Sequence, residues 1–338
     1  MCQKQFILAI ILISSVCAFE GISTELILQE DNTLVFPIQQ KTQDGKICQY
    51  YVTPDIDFCS NLITETYEQA IQCGSTENNY NSFADGYNYS GDFVIGEKII
   101  NLQFTIPIKQ SIFYGKTELC FGYKFGGQNN AFTFLDHIVP KQQIFMTLPQ
   151  AGSNQRKGII DIGDADLSKT KNNAYPFFLK SSEQKGYYTA YSSQNVQYGQ
   201  FSLSSPSEVF INIHSPFFEF QVEQVQDLIK AFAAQGIKYD YQPYKYHFIS
   251  VSSIEKLKNL QFTLMTDESK PFTITVQPSQ YTQKLSEGIY QVLIQVPMSK
   301  GIMTLSNRIL QTYYLGVDYP TQQFLIAEKN TQQQQQQF

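Results

Sequence analysis

The chain has little charge, few basic residues and no long hydrophobic run beyond its N-terminus. Lysine and arginine together number 24 and aspartate and glutamate 30 in 338 residues, for a formal net charge of -6. Charged residues make up only 16% of the chain, and the basic ones do not cluster, so we expect neither nucleic acid nor an anionic membrane as a partner. No later segment reaches roughly 18 uninterrupted apolar residues, which predicts the absence of a membrane span.

Several catalytic and ligand-binding signatures are also missing. The sequence contains no Gly-x-Ser-x-Gly elbow, no His-Glu-x-x-His and no phosphate-binding glycine loop. His137 and His247 are isolated, and we interpret them as structural. The cysteine spacings fit no zinc pattern, and no histidine lies near them. We therefore expect no metal and no cofactor.

The N-terminus has the form of a secretory signal peptide. Lys4 precedes an apolar run from Phe6 to Val16, which ends in the small-residue site Val16-Cys17-Ala18. This pattern predicts cleavage after Ala18 and entry into the secretory pathway, with an extracellular or lysosomal/vacuolar destination. The mature chain would have about 320 residues, which is enough for two lobes.

Four cysteines remain after the signal is removed: Cys48, Cys59, Cys73 and Cys120. An even number in an oxidising compartment predicts two disulfides, and three pairings are possible.

Strand patterns dominate the rest of the sequence. Apolar residues alternate with polar or small ones around 104–108, 260–264 and 272–276. One helix is predicted from about 221 to 235, where apolar residues form a stripe that ends at Gly236. The pattern indicates a mostly β protein with short helices. The glutamine-rich tail, 331–338, is typical of a disordered polar end.

The run Thr304–Asp318 resembles a hallmark of the pepsin-like aspartic proteases, peptidase family A1. Members of that family read Ile-Leu-Gly-Asp, a hydrophobic pair, Tyr-Tyr, and then an aspartate before a turn. Here Tyr313-Tyr314 and Asp318 agree, whereas Ser306 replaces the glycine. The segment Phe324–Ala327 is similar to the family's closing strand.

Four further stretches are similar to family segments and follow the family's order. They are the flap hairpin at 83–91, with Phe83 in place of the flap tyrosine before Asp85 and Gly86, the strand joining the lobes at 158–166, a Gly-Tyr-Trp-like segment at 185–188, and a strand pair with Pro-x-x-Tyr at 260–281.

The resemblance implies a bilobal fold, with two β-barrel-like lobes, a cleft between them and a few short helices. It divides the chain into a signal peptide (1–18), an N-terminal lobe (19–165), a C-terminal lobe (166–330) and the tail (331–338).

Proteases of this family activate water between two aspartates, one from each lobe, each on an Asp-Thr/Ser-Gly turn. In the second lobe of this chain, Asn212 aligns with the aspartate, Ile213 with the hydroxyl residue and His214 with the glycine. An amide cannot ionise, so it cannot share a proton with a partner carboxylate.

The first-lobe motif can be aligned with the family motif in more than one register. The run 55–62 is similar to Asp-Thr-Gly-Ser-Ser-Asn-Leu, and alignment on its Ser-Asn-Leu end puts Ile56 at the catalytic position. A shift of one residue puts Asp55 or Asp57 there instead, and no shift recovers the glycine. We therefore expect these positions to be vestigial.

These departures favour a homologue without peptidase activity, a monomer that binds a peptide or protein segment in its cleft. The alternative is a working aspartic-type acid endopeptidase with non-standard catalytic residues. The resemblance also implies a Cys59–Cys73 bridge, since the family often closes a short loop after the first active-site turn, and this leaves Cys48–Cys120. The sequon Asn88-Tyr89-Ser90 lies in the proposed flap and predicts a glycan on Asn88.

Overall fold

The structure is a computed structural model. It describes residues 19–30, 32–41, 45, 47–55, 58–59, 72–73, 76–81, 86–107, 118–121, 123–124, 138–150, 157–185, 188–204, 208–243, 248–296, 303–321 and 323–330. The predicted signal peptide, both isolated histidines and the glutamine-rich tail lie outside these ranges, and so do Ile56, Asp57, Phe83 and Asp85.

Most of the described chain is β-strand, which confirms the predicted mostly β class. In the first half the strands are β1 Ile22–Leu28, β2 Leu34–Lys41, β3 Ile47–Asp55, β4 Phe58–Cys59, β5 Thr76–Asn81, β6 Gly86–Ile95, β7 Lys98–Pro107, β8 Glu118–Cys120, β9 Tyr123–Lys124, β10 Gln143–Thr147 and β11 Lys157–Ile162.

In the second half they are β12 Phe177–Phe178, β13 Ser181–Lys185, β14 Tyr188–Tyr198, β15 Phe201–Leu203, β16 Glu208–Asn212, β17 Phe218–Glu219, β18 Tyr239–Gln242, β19 Phe248–Val251, β20 Leu260–Met265, β21 Pro271–Val276, β22 Thr282–Ser286, β23 Ile289–Val292, β24 Ile294–Gln295, β25 Met303–Ser306, β26 Tyr313–Asp318 and β27 Gln323–Glu328.

The α-helix of the described chain, α1, runs from Val222 to Ala234 and confirms the predicted helix. Its buried residues include Val225, Leu228 and Phe232, which belong to the predicted apolar stripe. The helix ends before Gly236, whose φ of +61° suits a residue without a side chain. Short 3-10 turns occupy Leu167–Lys169, Lys171–Asn173 and Asn307–Gln311.

The largest sheet takes strands from both halves of the sequence. Its main path runs β12-β27-β26-β10-β11-β1-β2-β3-β8, with β5, β6 and β7 attached through β2. The pairing of β10 with β26 sets Gln143 opposite Asp318, so the last strands of the chain complete a sheet begun by the first. A nine-stranded sheet has the main path β21-β20-β14-β16-β25-β17-β24, with β13 and β15 attached to β14, and β18-β19-β23-β22 form a smaller sheet.

A buried ion pair lies where the largest sheet meets the turn after β11. The Asp161 side chain is fully buried, and the Lys169 Nζ lies 2.5 and 2.6 Å from its two carboxylate oxygens. Tyr314 donates its hydroxyl to Asp161 Oδ2 at 2.6 Å and accepts the Asp166 N–H at 3.0 Å. Burial, followed by the nearby Asp161 charge, raises the pKa of Tyr314 well above its usual range.

The structure forms a disulfide between Cys48 and Cys73, whose Cα atoms are 5.9 Å apart. The pairings Cys59–Cys73 and Cys48–Cys120, which the family resemblance implied, are therefore wrong. A disulfide depends on the distance between Cα atoms rather than on closeness in sequence. Cys73 packs in the core, and Cys48 packs against it from β3.

Non-reducing peptide mapping should therefore link the Cys48 and Cys73 peptides. A cross-link of Cys48 or Cys73 to any other cysteine would contradict the bridge.

Lys329 is a second buried charge, at the end of β27. It is 6% exposed, and its Nζ donates to the carbonyls of Leu148 at 2.5 Å and Gln311 at 3.1 Å. Burial lowers its pKa to about 8. Between that pKa and the unfolded value of about 10.4, the unfolded chain binds more protons than the folded one, so stability rises with pH in this window.

The effect can be isolated by comparison with Lys329→Met, which does not titrate. Between pH 7 and 9.5 the wild-type protein should gain about 2 kcal/mol in unfolding free energy relative to this variant. Urea unfolding at the two pH values measures the difference. A constant difference would show that Lys329 titrates normally in the folded protein.

Candidate functional site

The second-half site lies at the end of β16. This strand runs parallel to β25, which sets Asn212 opposite Ser306. The side-chain oxygen of Asn212 accepts the N–H of His214 at 2.8 Å. This bond closes a local Asx turn, and asparagine is one of the residues that form it. One acceptor site of the Asn212 amide is therefore engaged in holding the turn.

The three predicted positions of this motif lie in that turn but face different surroundings. Asn212 and His214 are half-buried, whereas Ile213 is fully buried and belongs to the hydrophobic core. Ile213 therefore contributes packing and no polar group. The turn is joined to the next segment by the Asn307 N–H, which donates to the Ser215 carbonyl at 2.9 Å.

The first half contains a matching backbone arrangement at the end of β3. This strand runs parallel to β8 and sets Asp55 opposite Cys120. Asp55 and Asn212 therefore each belong to a strand that pairs in parallel with a strand much later in the same half. Positions 56 and 57 lie outside the described ranges, so the choice among Asp55, Ile56 and Asp57 stays a prediction.

Each half also has a second parallel pair close by. In the first half β4 pairs with β9, and in the second β17 pairs with β24. Together with β3–β8 and β16–β25, these make four parallel pairs within the described ranges. The other strand pairs of those ranges are antiparallel. The second half adds one further contact, since β17 also pairs with β25 and places that strand between β16 and β17.

A polar group occupies the sheet beside Asn212. The half-buried carboxylate of Glu219 accepts the Thr304 hydroxyl at 2.9 Å and the Gln295 amide at 3.1 Å. Thr304 and Ser306 are two residues apart on β25, so their side chains share a face of the sheet. The Ser306 and Thr304 hydroxyls are therefore followed by the Glu219 carboxylate and the Gln295 amide of the neighbouring strands.

The turn between β1 and β2 reaches this region from the first half. Asn32, with a left-handed φ of +66°, accepts the Asn307 side-chain amide on its carbonyl at 3.2 Å. Its side-chain oxygen accepts Arg308 Nη2 at 2.6 Å. The segment after β25 thereby connects the candidate site of the second half to the first.

The other predicted site residues belong to other strands or lie outside the described ranges. Gly86 begins β6, and Asn88 lies two residues further on, half-buried, where its Oδ1 accepts the Thr105 hydroxyl at 2.7 Å. Glycosylation of Asn88 stays a prediction. Ile56, Asp57, Phe83, Asp85 and the side chains of Asp55, Cys59 and Cys120 fall outside the description, so the predicted roles of these positions stay predictions.

Sequence reasoning missed two buried charged groups, Asp161 and Lys329, and the half-buried Arg308. The available signal for Arg308 was a basic residue directly before the apolar Ile309-Leu310 pair in the hallmark run. No comparable local signal marked Asp161 or Lys329, because the Tyr314 hydroxyl and the Leu148 carbonyl that they bind come from distant parts of the chain.

In the part of the chain described here, no cluster of three or more histidine, cysteine, aspartate or glutamate side chains could hold a metal ion. Likewise, none of the described helices has the length and apolar character needed to cross a membrane. Comparison with known protein families finds no family model that matches the chain, and comparison with curated proteins finds no match either.

Proposed function

We propose that this chain is a secreted, bilobal, pepsin-like protein without peptidase activity, which binds a peptide or protein segment in the cleft between its lobes. The observation that carries the proposal is the repeated parallel pair. Asp55 and Asn212 each lie on a strand that pairs in parallel with a later strand of the same half, which suits a fold whose two active-site turns are related by approximate two-fold symmetry. The sheet shared by both halves supports the same interpretation.

The chemistry of the second turn argues against hydrolysis. A pepsin-like mechanism needs one carboxylate as base and one carboxylic acid as acid, and Asn212 supplies neither. Loss of a general acid or base typically costs about 10²–10⁴ in rate. Because Ile213 is buried in the core and has no hydroxyl, the motif also lacks its second polar group.

Binding does not need those groups. A groove shaped for an extended peptide can hold one through backbone hydrogen bonds and side-chain pockets. Asn212 and Glu219 are half-buried polar side chains in this region that are in a position to support such binding.

Incubation with denatured haemoglobin between pH 3 and 6, with and without pepstatin, tests the proposal. We expect no pepstatin-sensitive cleavage, and we expect the same preparation to retain members of a random peptide library. Pepstatin-sensitive cleavage would favour the alternative, an acid endopeptidase that uses Asp55 with non-standard partners. Failure to retain any peptide would remove the binding function.

Restoring the carboxylate alone should not restore activity. In Asn212→Asp we expect haemoglobin cleavage to stay at the level of an Asn212→Ala control. Ile213 still provides no hydroxyl, His214 still occupies the glycine position, and a catalytic pair must be held within about 0.5 Å of its productive geometry. Appreciable pepstatin-sensitive activity in Asn212→Asp would show that the first-half carboxylate is already in place.

A further inference from the structure

Arg308 carries a half-buried guanidinium at the contact between the two halves of the chain. Its Nη2 donates to Asn32 Oδ1, while its Nε is buried without a hydrogen-bond partner. No carboxylate of the described residues forms an ion pair with it. A cation removed from water without an anion is costly, and burial lowers the pKa of this guanidinium.

Asn307 adds a second unsatisfied group at the same contact. Its side chain is fully buried, and its Nδ2 donates to the Asn32 carbonyl while its Oδ1 has no partner. Asn307 and Arg308 therefore both bind Asn32, and each retains one unused polar atom. Because buried polar groups are nearly always satisfied, the unused acceptor and the unused donor leave the hydrogen bonding of this contact incomplete.

This contact is continuous with the candidate site. The Arg308 N–H donates to Ser306 Oγ at 3.2 Å, and Ser306 is the residue opposite Asn212. The Asn307 N–H binds the carbonyl of Ser215, in the segment that follows the Asn212 turn. A ligand of Arg308 would therefore lie beside the turn to which the binding function is assigned.

We propose that Arg308 binds a carboxylate of the peptide or protein segment held in the cleft. The guanidinium presents parallel N–H donors that match a carboxylate in a bidentate pair, and its bond to Asn32 fixes its orientation. The inference rests on the proposed function, and it identifies the partner as an acidic segment.

A matched pair of peptides tests the inference. One is an acidic decapeptide selected from a random library on the wild-type protein, and the other replaces each of its acidic residues by the amide. Hydrogen bonds to a charged group predict a preference of about 10-fold or more for the acidic peptide, measured by fluorescence anisotropy. Arg308→Gln should lose this preference, and Arg308→Lys should keep part of it, because lysine retains the charge without the fork. Lys284→Gln, on exposed β22, is the control that should behave as wild type.

The outcomes separate the two proposals. Equal binding of both peptides, or an unchanged preference in Arg308→Gln, would overturn the role of Arg308 and leave the binding function standing. If no peptide binds at all, the binding function fails. Thermal unfolding in sodium acetate then tests, independently of any peptide, whether Arg308 binds a carboxylate. A stabilisation of the wild type that Arg308→Gln lacks would sustain a carboxylate site, and its absence would overturn one. Circular dichroism of both Arg308 variants establishes that they are folded.

Discussion

Replacing Asp161 by asparagine should lower the free energy of unfolding by about 3–5 kcal/mol. The carboxylate is fully buried, and it accepts from the Lys169 ammonium and the Tyr314 hydroxyl. The variant leaves Lys169, whose side chain is 14% exposed, with only the more exposed carboxylate of Asp166, at 3.3 Å, as a counter-charge. Removing one partner of a buried pair costs much more than the net contribution of the original pair. Chemical denaturation of wild type and variant measures the loss.

Two further variants show whether the loss comes from the charge of Lys169 once Asp161 no longer balances it. Adding Lys169→Met to Asp161→Asn should recover a large part of the stability, because the buried charge is then removed as well. Glu25→Gln is the matched surface control, since Glu25 pairs with Lys157 at the exposed end of β11, and it should cost at most about 1 kcal/mol. No recovery in the double variant would assign the loss to packing instead.

Gly316→Ala should be the second severe substitution, at about 3 kcal/mol. Gly316 lies directly opposite Phe145 in the pairing of β10 with β26. A Cβ built on Gly316 would be 2.2 Å from the Phe145 ring. That ring is fully buried and stacks on Tyr314 with ring centroids 5.1 Å apart, so it cannot move aside without disturbing its neighbour.

A double-mutant cycle tests this steric explanation. In a Phe145→Leu background the smaller side chain should relieve most of the clash, so that Gly316→Ala costs much less than in the wild type. Thermal and urea unfolding of the four proteins give the coupling. Additive losses would mean that the glycine is needed for its backbone rather than for the space above it.

The sequence predicted those features whose cause is local. Alternation around Leu260–Met265 predicted a strand whose residues are alternately buried and half-buried, as observed. The apolar stripe before Gly236 predicted the helix, because a 3.6-residue period can be read in a single segment. The order of residue types at 208–215 also located the Asn212 turn.

Features that depend on contacts between distant segments were not predictable in this way. Cys48 pairs with Cys73 because of how β3 packs on the core, and no spacing rule contains that information. Asp161 receives its hydroxyl partner from Tyr314, 153 positions away. The parallel pairing of β3 with β8 likewise joins segments that are far apart in sequence.

The shared sheet has a consequence for the order of synthesis. All five residues of β10 are buried, and its partner β26 lies far along the chain, with Gln143 and Asp318 separated by 175 positions. At ribosomal rates of about 5–20 residues per second, that interval takes roughly 10–30 s. During this time the first half has an unpaired apolar edge, of the kind that binds other strands. The nascent protein therefore reaches its native sheet only after its final strands have left the ribosome.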